Sequence, residues 1–315
     1  MEDIVAKMKP QKSKINELTE MHFYSRAESI DLIRLRYFQH QLNEMLKEDH
    51  FSKIPVHLAF GHEAAAVGID LTLQPDDVLC VSHRNVAYNL ARSKSLESAL
   101  KHYRMEAYPA QLAQMASQNL AVDNTNIEYA SSILGNNLAV AAGIAMNRKL
   151  MKRVGIVFVM TGDGALEEGV FWEVMIFARS HALGMVVVVE NNNFSMSSSI
   201  EQRRTPIDLS LVCAGLGITY RGVDGASLPA VKTALASARE DASKRKVALV
   251  ELNISTFCQH AGPTPGWPDD PLHIALANGL LLGDDPSDPL VQLSQAIGAT
   301  EFDCLVDMVA KEKAQ

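Results

Sequence analysis

The sequence predicts an α/β protein built on a doubly wound, mostly parallel sheet, and three observations support that fold class. First, apolar β-formers over residues 154–160 run into Gly162-Asp163-Gly164. A stretch of helical periodicity follows, and a second apolar run, 185–189, ends in Glu190-Asn191-Asn192. That order reads as strand, acidic glycine turn, helix, strand and amide turn, the repeating unit of a parallel sheet. Second, a helical stretch over 228–242 leads into an apolar strand at 247–254, so the alternation continues beyond the central unit. Third, hydrophobic residues make up 47% of the 315, ample for the core such a sheet needs.

From the beginning of the chain, residues 1–20 are Lys-rich and weakly patterned and read as part of an N-terminal arm, 1–24, either mobile or bound to a partner. Over 25–48, Leu32, Leu35, Phe38, Leu42 and Met45 recur at three and four, the spacing of an amphipathic helix. Residues 57–63 form a turn into a helix of small residues, 64–71, able to lie close against another element. After Asp76-Asp77 come a short strand, 78–81, then Ser82-His83-Arg84-Asn85, and a helix from about 95 to 106. Residues 107–131 carry few β-branched side chains and read as loop with a broken helix. Residues 132–135 open an Ala- and Gly-rich helix, 138–146, whose small side chains imply packing against a neighbour of the same kind. Beyond the central unit, 195–206 is a polar loop carrying Arg203-Arg204, 208–214 a short helix, and 220–225 a strand and turn. Residues 259–271, with four prolines and two glycines, form a rigid surface loop, and 289–313 hold one or two helices. The expected organisation is an arm over 1–24, one α/β domain over 25–258, and a Pro-rich loop with a helical tail over 259–315 packed on that domain.

A formal net charge of −8 argues against a nucleic-acid binder, which needs a basic face. The longest apolar runs are strand-sized and interrupted, so no membrane span is expected. The opening Met1-Glu2-Asp3 lacks the layout of a signal peptide. Four widely spaced cysteines without a Cys-x-x-Cys suggest neither a disulfide scaffold nor a zinc site. A reducing, cytoplasmic location is the expectation. The two strand-end turns leave Asp163 and Asn192 at one edge of the sheet, the carboxyl edge at which open α/β sheets bind ligands. A carboxylate and an amide oxygen suit a hard divalent cation that takes its remaining oxygens from a phosphate. No Gly-x-Gly-x-x-Gly follows a strand, which disfavours a dinucleotide fingerprint.

Gly162-Asp163-Gly164 and Asn191-Asn192, with Asp163 and Asn192 29 residues apart, resemble the thiamine diphosphate-binding motif, and Glu168 to Glu173 resembles the helix that follows its glycine turn. His57-Leu58-Ala59-Phe60-Gly61-His62-Glu63-Ala64, and Ser82-His83-Arg84 after Pro75-Asp76-Asp77, are similar to the alpha subunits of 2-oxo acid dehydrogenases (pyruvate, branched-chain and acetoin). The resemblance covers about residues 25–255 and implies the thiamine diphosphate-binding fold. It implies that Mg²⁺ is held by Asp163 and Asn192 side chains and the Phe194 carbonyl, and that Gly162 belongs to the diphosphate turn. Gly164 and Ala165 would offer backbone N–H groups at a helix N-terminus. Arg84 would pair with the diphosphate, beside His83, which stands where the family usually has a tyrosine. Ser132 and Leu134 would meet the aminopyrimidine through backbone contacts, and Met196 would be the apolar wedge that keeps the cofactor bent. His57 is family-like and either faces the substrate or is a hydrogen-bonded histidine at a helix start. The implied partner is a beta subunit that supplies the activating glutamate, in an α₂β₂ heterotetramer.

The match fails after the last strand. The family's second histidine lies there in an Arg-Tyr-His-Gly-His-Ser-type sequence, whereas this chain reads Ser255-Thr256-Phe257-Cys258-Gln259-His260-Ala261-Gly262, without the arginine. Either Cys258 or His260 takes the place of that histidine. Three functions follow. One is the alpha subunit of a 2-oxo acid or acetoin dehydrogenase first component, with a 2-oxo acid or acyloin substrate and a lipoyl acyltransferase as acceptor. The second is a two-chain carboligase or transketolase-like enzyme passing an acyl or ketol group, from a ketose for example, to an aldehyde. The third, disfavoured by the intact metal ligands, is a catalytically silent nucleotide-binding or regulatory subunit.

Overall fold

The structure is a computed structural model that describes residues 24–47, 55–106, 120–263 and 272–313. In chain order its elements begin with α1 (Arg26–Lys47), α2 (Glu63–Thr72), β1 (Val78–Val81), α3 (Val86–Ser93), α4 (Leu96–Tyr103) and β2 (Ile127–Ala130). Next come α5 (Asn136–Leu150), β3 (Val157–Gly162), α6 (Gly169–Ser180) and β4 (Met185–Asn191). A ribbon of β5 (Phe194–Ser195) and β6 (Ser198–Ser199) runs into a one-turn helix, α7 (Ile200–Arg203). The remainder is α8 (Leu209–Leu216), β7 (Thr219–Asp224), α9 (Leu228–Ser243), β8 (Ala248–Asn253), α10 (Pro289–Ile297) and α11 (Ala299–Lys313).

Six strands pair in parallel in the order β2-β1-β3-β4-β8-β7. The chain winds from β1 out to β2, then crosses back past β1 to begin β3. The carboxyl ends of β1 and β3 therefore flank a topological switch point, where sheets of this kind leave a crevice for ligands. Alternate strand residues fill two cores. Leu79, Phe158, Val186 and Val250 pack with α1, α2 and α9, while Cys80, Val159, Val187 and Leu249 pack with α5, α6 and α8. Burial on both faces explains why β3 and β4 read as continuous apolar runs rather than alternating ones. The β3–β4 register places Gly162 opposite Glu190, so Asp163 and Asn192 emerge from adjacent strand ends.

A fully buried guanidinium ties the far end of the chain to this domain. Arg36 on α1 donates to Glu63 at 2.6 and 3.0 Å, to Asp288 at 2.8 and 3.1 Å, and to the Leu280 carbonyl at 3.0 Å. Phe302, Leu305 and Val309 of α11 are buried in the same core as α1.

The sheet and most helices fall where the sequence put them, with four differences. The single helix expected over 95–106 is preceded by an unanticipated one, α3. Lys94 breaks the pair with φ 51°, and Ser95 caps α4 by accepting from the Ser98 N–H. Residues 127–130, read as loop, form the edge strand β2, which among the described residues pairs only with β1 and exposes Glu128. The polar loop at 195–206 contains the ribbon and α7. The Ala/Gly-rich helix is longer than expected, and no small-residue neighbour packs on its outer face among the described residues: a Cβ at Gly143 would meet nothing within 4 Å. The arm over 1–23 and most of the Pro-rich loop, 264–271, lie outside the described residues. No described helix is long and apolar enough to cross a membrane.

Candidate active site

At the end of β3 the chain turns sharply. Asp163 opens a five-residue 3₁₀ turn that ends at Glu167, and the α-helix α6 begins only at Gly169. The helix N-terminus expected at Gly164 and Ala165 is therefore a short 3₁₀ turn, whose aligned dipoles are too few for the anion-favouring field of a full helix. Gly162 borders the open cleft, where a Cβ would meet nothing within 4 Å. Gly164 is hemmed in instead: a Cβ there would lie 2.6 Å from Ser195 Oγ, because the β5–β6 ribbon folds over the turn.

Asp163 is 1% exposed. Its Oδ2 accepts from Arg203 Nη2 at 2.5 Å, and Oδ1 is buried without a hydrogen-bond partner among the described residues. Burial raises the Asp163 pKa above the ordinary carboxylate value, and the Arg203 guanidinium opposes that rise without overcoming it. Arg203 also pairs with Glu167, as does Arg204 at 3.1 Å. Across the edge, the amide of Asn192 donates from Nδ2 to Thr256 Oγ1 at 2.8 Å, and its Oδ1 accepts the Phe194 N–H at 3.2 Å. An orphaned carboxylate oxygen beside an amide oxygen with spare acceptor capacity is a donor set for a hard cation.

Between these turns and the end of β1 lies a cleft. His83, Arg84, Leu134, Gly162, Gly164, Asn192, Phe194, Met196 and His260 line it, as the sequence anticipated. Arg84 is 7% exposed and donates to the Leu58 carbonyl. Phe194 and Met196 present exposed side chains, Met196 from a left-handed backbone with φ 52° in the ribbon's turn. His57, Ser132, Asp163 and Ala165 are not among the residues that line the cleft; Ser131, next to Ser132, is. Further lining residues that were not anticipated include His62, Asn137, Thr161 and Glu190.

Three imidazoles converge at one end. His57 Nδ1 lies 2.5 Å from the His260 carbonyl, and the His57 ring packs edge-on against His83 and His260, with centroids 4.7 and 4.6 Å away. Burial, with Arg84 alongside, pushes the His83 pKa down to about 2. Burial, with His57 and Arg84 nearby, pushes His260 down to about 3. Both are neutral at physiological pH, each ring offering one donor and one acceptor. Between the two candidates for the second histidine, His260 lines the cleft, whereas the buried Cys258 thiol points at the Leu58 carbonyl at 3.4 Å.

Fold and site together define a doubly wound α/β protein with a carboxylate–amide pair at its ligand-binding edge. Residues 33–261 match the family model described as the dehydrogenase E1 component, and the chain belongs to that family. Among its relatives is the "Pyruvate dehydrogenase E1 component subunit alpha" of Acholeplasma laidlawii, 28% identical over 68% of this chain and 58% of that protein. The protein of the same name from Rhizobium meliloti (strain 1021) is 25% identical over 62% of this chain and 56% of its own length. The chain thus spans a little over half the length of these curated relatives. A transketolase mutant from Pichia stipitis shares the fold, with a TM-score of 0.54 at 16% identity, over 91% of this chain and 47% of that one.

Proposed function

We propose that this chain is the alpha subunit of a two-chain thiamine diphosphate-dependent enzyme of the 2-oxo acid dehydrogenase first-component type. The observation that carries the reading is the buried Asp163 Oδ1, unpartnered among the described residues, on the strand end next to that of Asn192, which lines a cleft where Gly162 leaves room for a ligand. Asp163 Oδ1, Asn192 Oδ1 and the Phe194 carbonyl would hold Mg²⁺, with diphosphate oxygens and water completing its shell. When bound, the cofactor supplies an acidic thiazolium carbon and an electron sink for bond cleavage next to a carbonyl.

The protein's own part is positioning and electrostatics. Arg84, buried at the end of β1, brings a permanent positive charge to the diphosphate side of the cleft. Met196 and Leu134, which line the cleft, would offer apolar surface to the cofactor's rings. His83 and His260 line the cleft, and His57 packs against both rings. As a neutral imidazole, His83 or His260 can donate to a carbonyl or hydroxyl oxygen and pass a proton without a charged resting state. The glutamate that activates the aminopyrimidine would come from a beta subunit in an α₂β₂ assembly.

A second reading is favoured by one feature, the segment 255–262, which offers two neutral imidazoles nearby and no arginine to pair with a substrate carboxylate. That suits a carboligase or transketolase-like reaction on a hydroxylated substrate. An activity screen of the co-expressed alpha–beta pair, with 2-oxo acids and ketoses, with and without an aldehyde acceptor, tests both. Turnover of a 2-oxo acid with a lipoyl or artificial electron acceptor is the expected result. Product formed only with aldehyde would replace it by the second reading. No thiamine-dependent turnover with any donor would remove both.

A further inference from the structure

Asn192 is wired to a buried carboxylate through two side chains that play no part in the anticipated site. Glu190, at the end of β4 and 4% exposed, accepts on Oε1 from the Tyr88 hydroxyl at 2.8 Å and lies 2.8 Å from His62 Nδ1. Burial, reinforced by the Glu190 charge, raises the Tyr88 pKa well above its usual value, so the phenol keeps its proton and donates. On its other side, His62 Nε2 lies 2.8 Å from Thr256 Oγ1, which lies 2.8 Å from Asn192 Nδ2.

The donor directions in this chain are not free. A carboxylate only accepts, so His62 Nδ1 must carry the proton that faces Glu190. In that tautomer Nε2 is an acceptor, and the Thr256 hydroxyl donates to it. The Thr256 oxygen is left to accept, and the group that donates to it from Asn192 is the amide nitrogen. The amide oxygen is thereby turned away from Thr256. Were the amide reversed, Thr256 would meet a second acceptor with its only hydrogen already given to His62, leaving a part-buried acceptor pair facing each other without a proton.

We infer that Thr256 and His62 are positioning residues that, directed by Glu190, hold the Asn192 amide with its oxygen toward the cation. The inference rests on the cation site proposed above. Partners that orient metal ligands in this way are typically worth about 10–100-fold in metal affinity.

The test is a double substitution read by Mn²⁺ binding, followed by electron paramagnetic resonance of the free ion, on the alpha–beta complex with thiamine diphosphate present. Thr256→Val is expected to weaken Mn²⁺ binding about 10–100-fold, and Thr256→Ser, which restores the hydroxyl, to bind within about twofold of the unaltered chain. In the Asn192→Asp background both side-chain termini are oxygens, so orientation no longer matters and Thr256→Val should cost no more than about twofold. A merely structural role for Thr256 would give equal losses in both backgrounds, and that result, or no loss in either, overturns the inference alone. Absence of Mn²⁺ binding by the unaltered complex would overturn the cation site and the inference with it.

Discussion

Two guanidinium–carboxylate clusters in this molecule, one fully buried and one only partly so, differ in how completely their polar atoms are used. Around Arg36 the fit is closed: five hydrogen bonds reach Glu63, Asp288 and the Leu280 carbonyl, and the side chain is fully buried. Around Asp163 it is open. Arg203 covers one carboxylate oxygen from a one-turn helix, and the other oxygen has no partner among the described residues. The first cluster joins α1, α2 and the start of α10, elements far apart in the chain, and its work is architectural. The second sits at a strand end on the sheet's ligand-binding edge, where an unmet acceptor costs stability unless something else arrives to meet it. Incomplete satisfaction separates the site from the scaffold, although both are built from the same residue types.

The largest break in that comparison comes from the closed cluster. Arg36→Ala strands two buried carboxylates and should cost about 3–5 kcal/mol, measured by denaturant unfolding of the full chain. A loss under about 1 kcal/mol would mean the burial charges are relieved in another way. At the open cluster, Arg203→Gln removes a cation that competes for Asp163. It should tighten Mg²⁺ binding by up to about fivefold, the worth of a modest ion pair. Weaker Mg²⁺ binding in that variant would show that Arg203 assists the site rather than occupying it.

Asp163→Asn sharpens the contrast from the stability side. The carboxylate is poorly satisfied, so losing its charge should leave the unfolding free energy within about 0.5 kcal/mol or raise it. The smallest effect concerns pH. His83 and His260 have folded pKa values depressed to about 2 and about 3, below the ordinary histidine value of 6.5. The unfolded chain therefore takes up protons first as pH falls from about 7. The stability these rings contribute is complete above pH 6.5 and is lost progressively as pH falls toward 3. Thermal melts between pH 7 and 4 should show a shallower decline in His83→Asn than in the unaltered chain. Identical slopes would contradict a neutral, buried His83.

The parts of the site legible in the sequence are those formed locally. Strand, glycine turn, helix, strand and amide turn are read from adjacent residues, and the β3–β4 register then brings Asp163 and Asn192 together without further information. The same holds for β1 and the Ser82-His83-Arg84 turn. What escaped are features made by distant partners. His62 meets Glu190 across 128 positions and Thr256 across 194, and nothing near any one of them signals the other two. Arg203 reaches Asp163 from a segment that reads only as a polar loop. The edge strand β2 escaped for a different reason: with one neighbour among the described residues and an exposed Glu128, it lacks the apolar run that marked β3 and β4. Glu190 carried one readable signal, a charged residue ending an otherwise apolar buried strand, and such a residue at a carboxyl edge merits inclusion among site candidates.

Calorimetric titration of the alpha–beta complex with thiamine diphosphate, with and without Mg²⁺, for the unaltered chain and for Asp163→Ala, tests the central claim most directly. The expected result is tight binding that requires Mg²⁺ and is lost in Asp163→Ala while the melting temperature holds. Binding that is indifferent to Mg²⁺, or unchanged in Asp163→Ala, would contradict the assignment of this edge as the cation and diphosphate site.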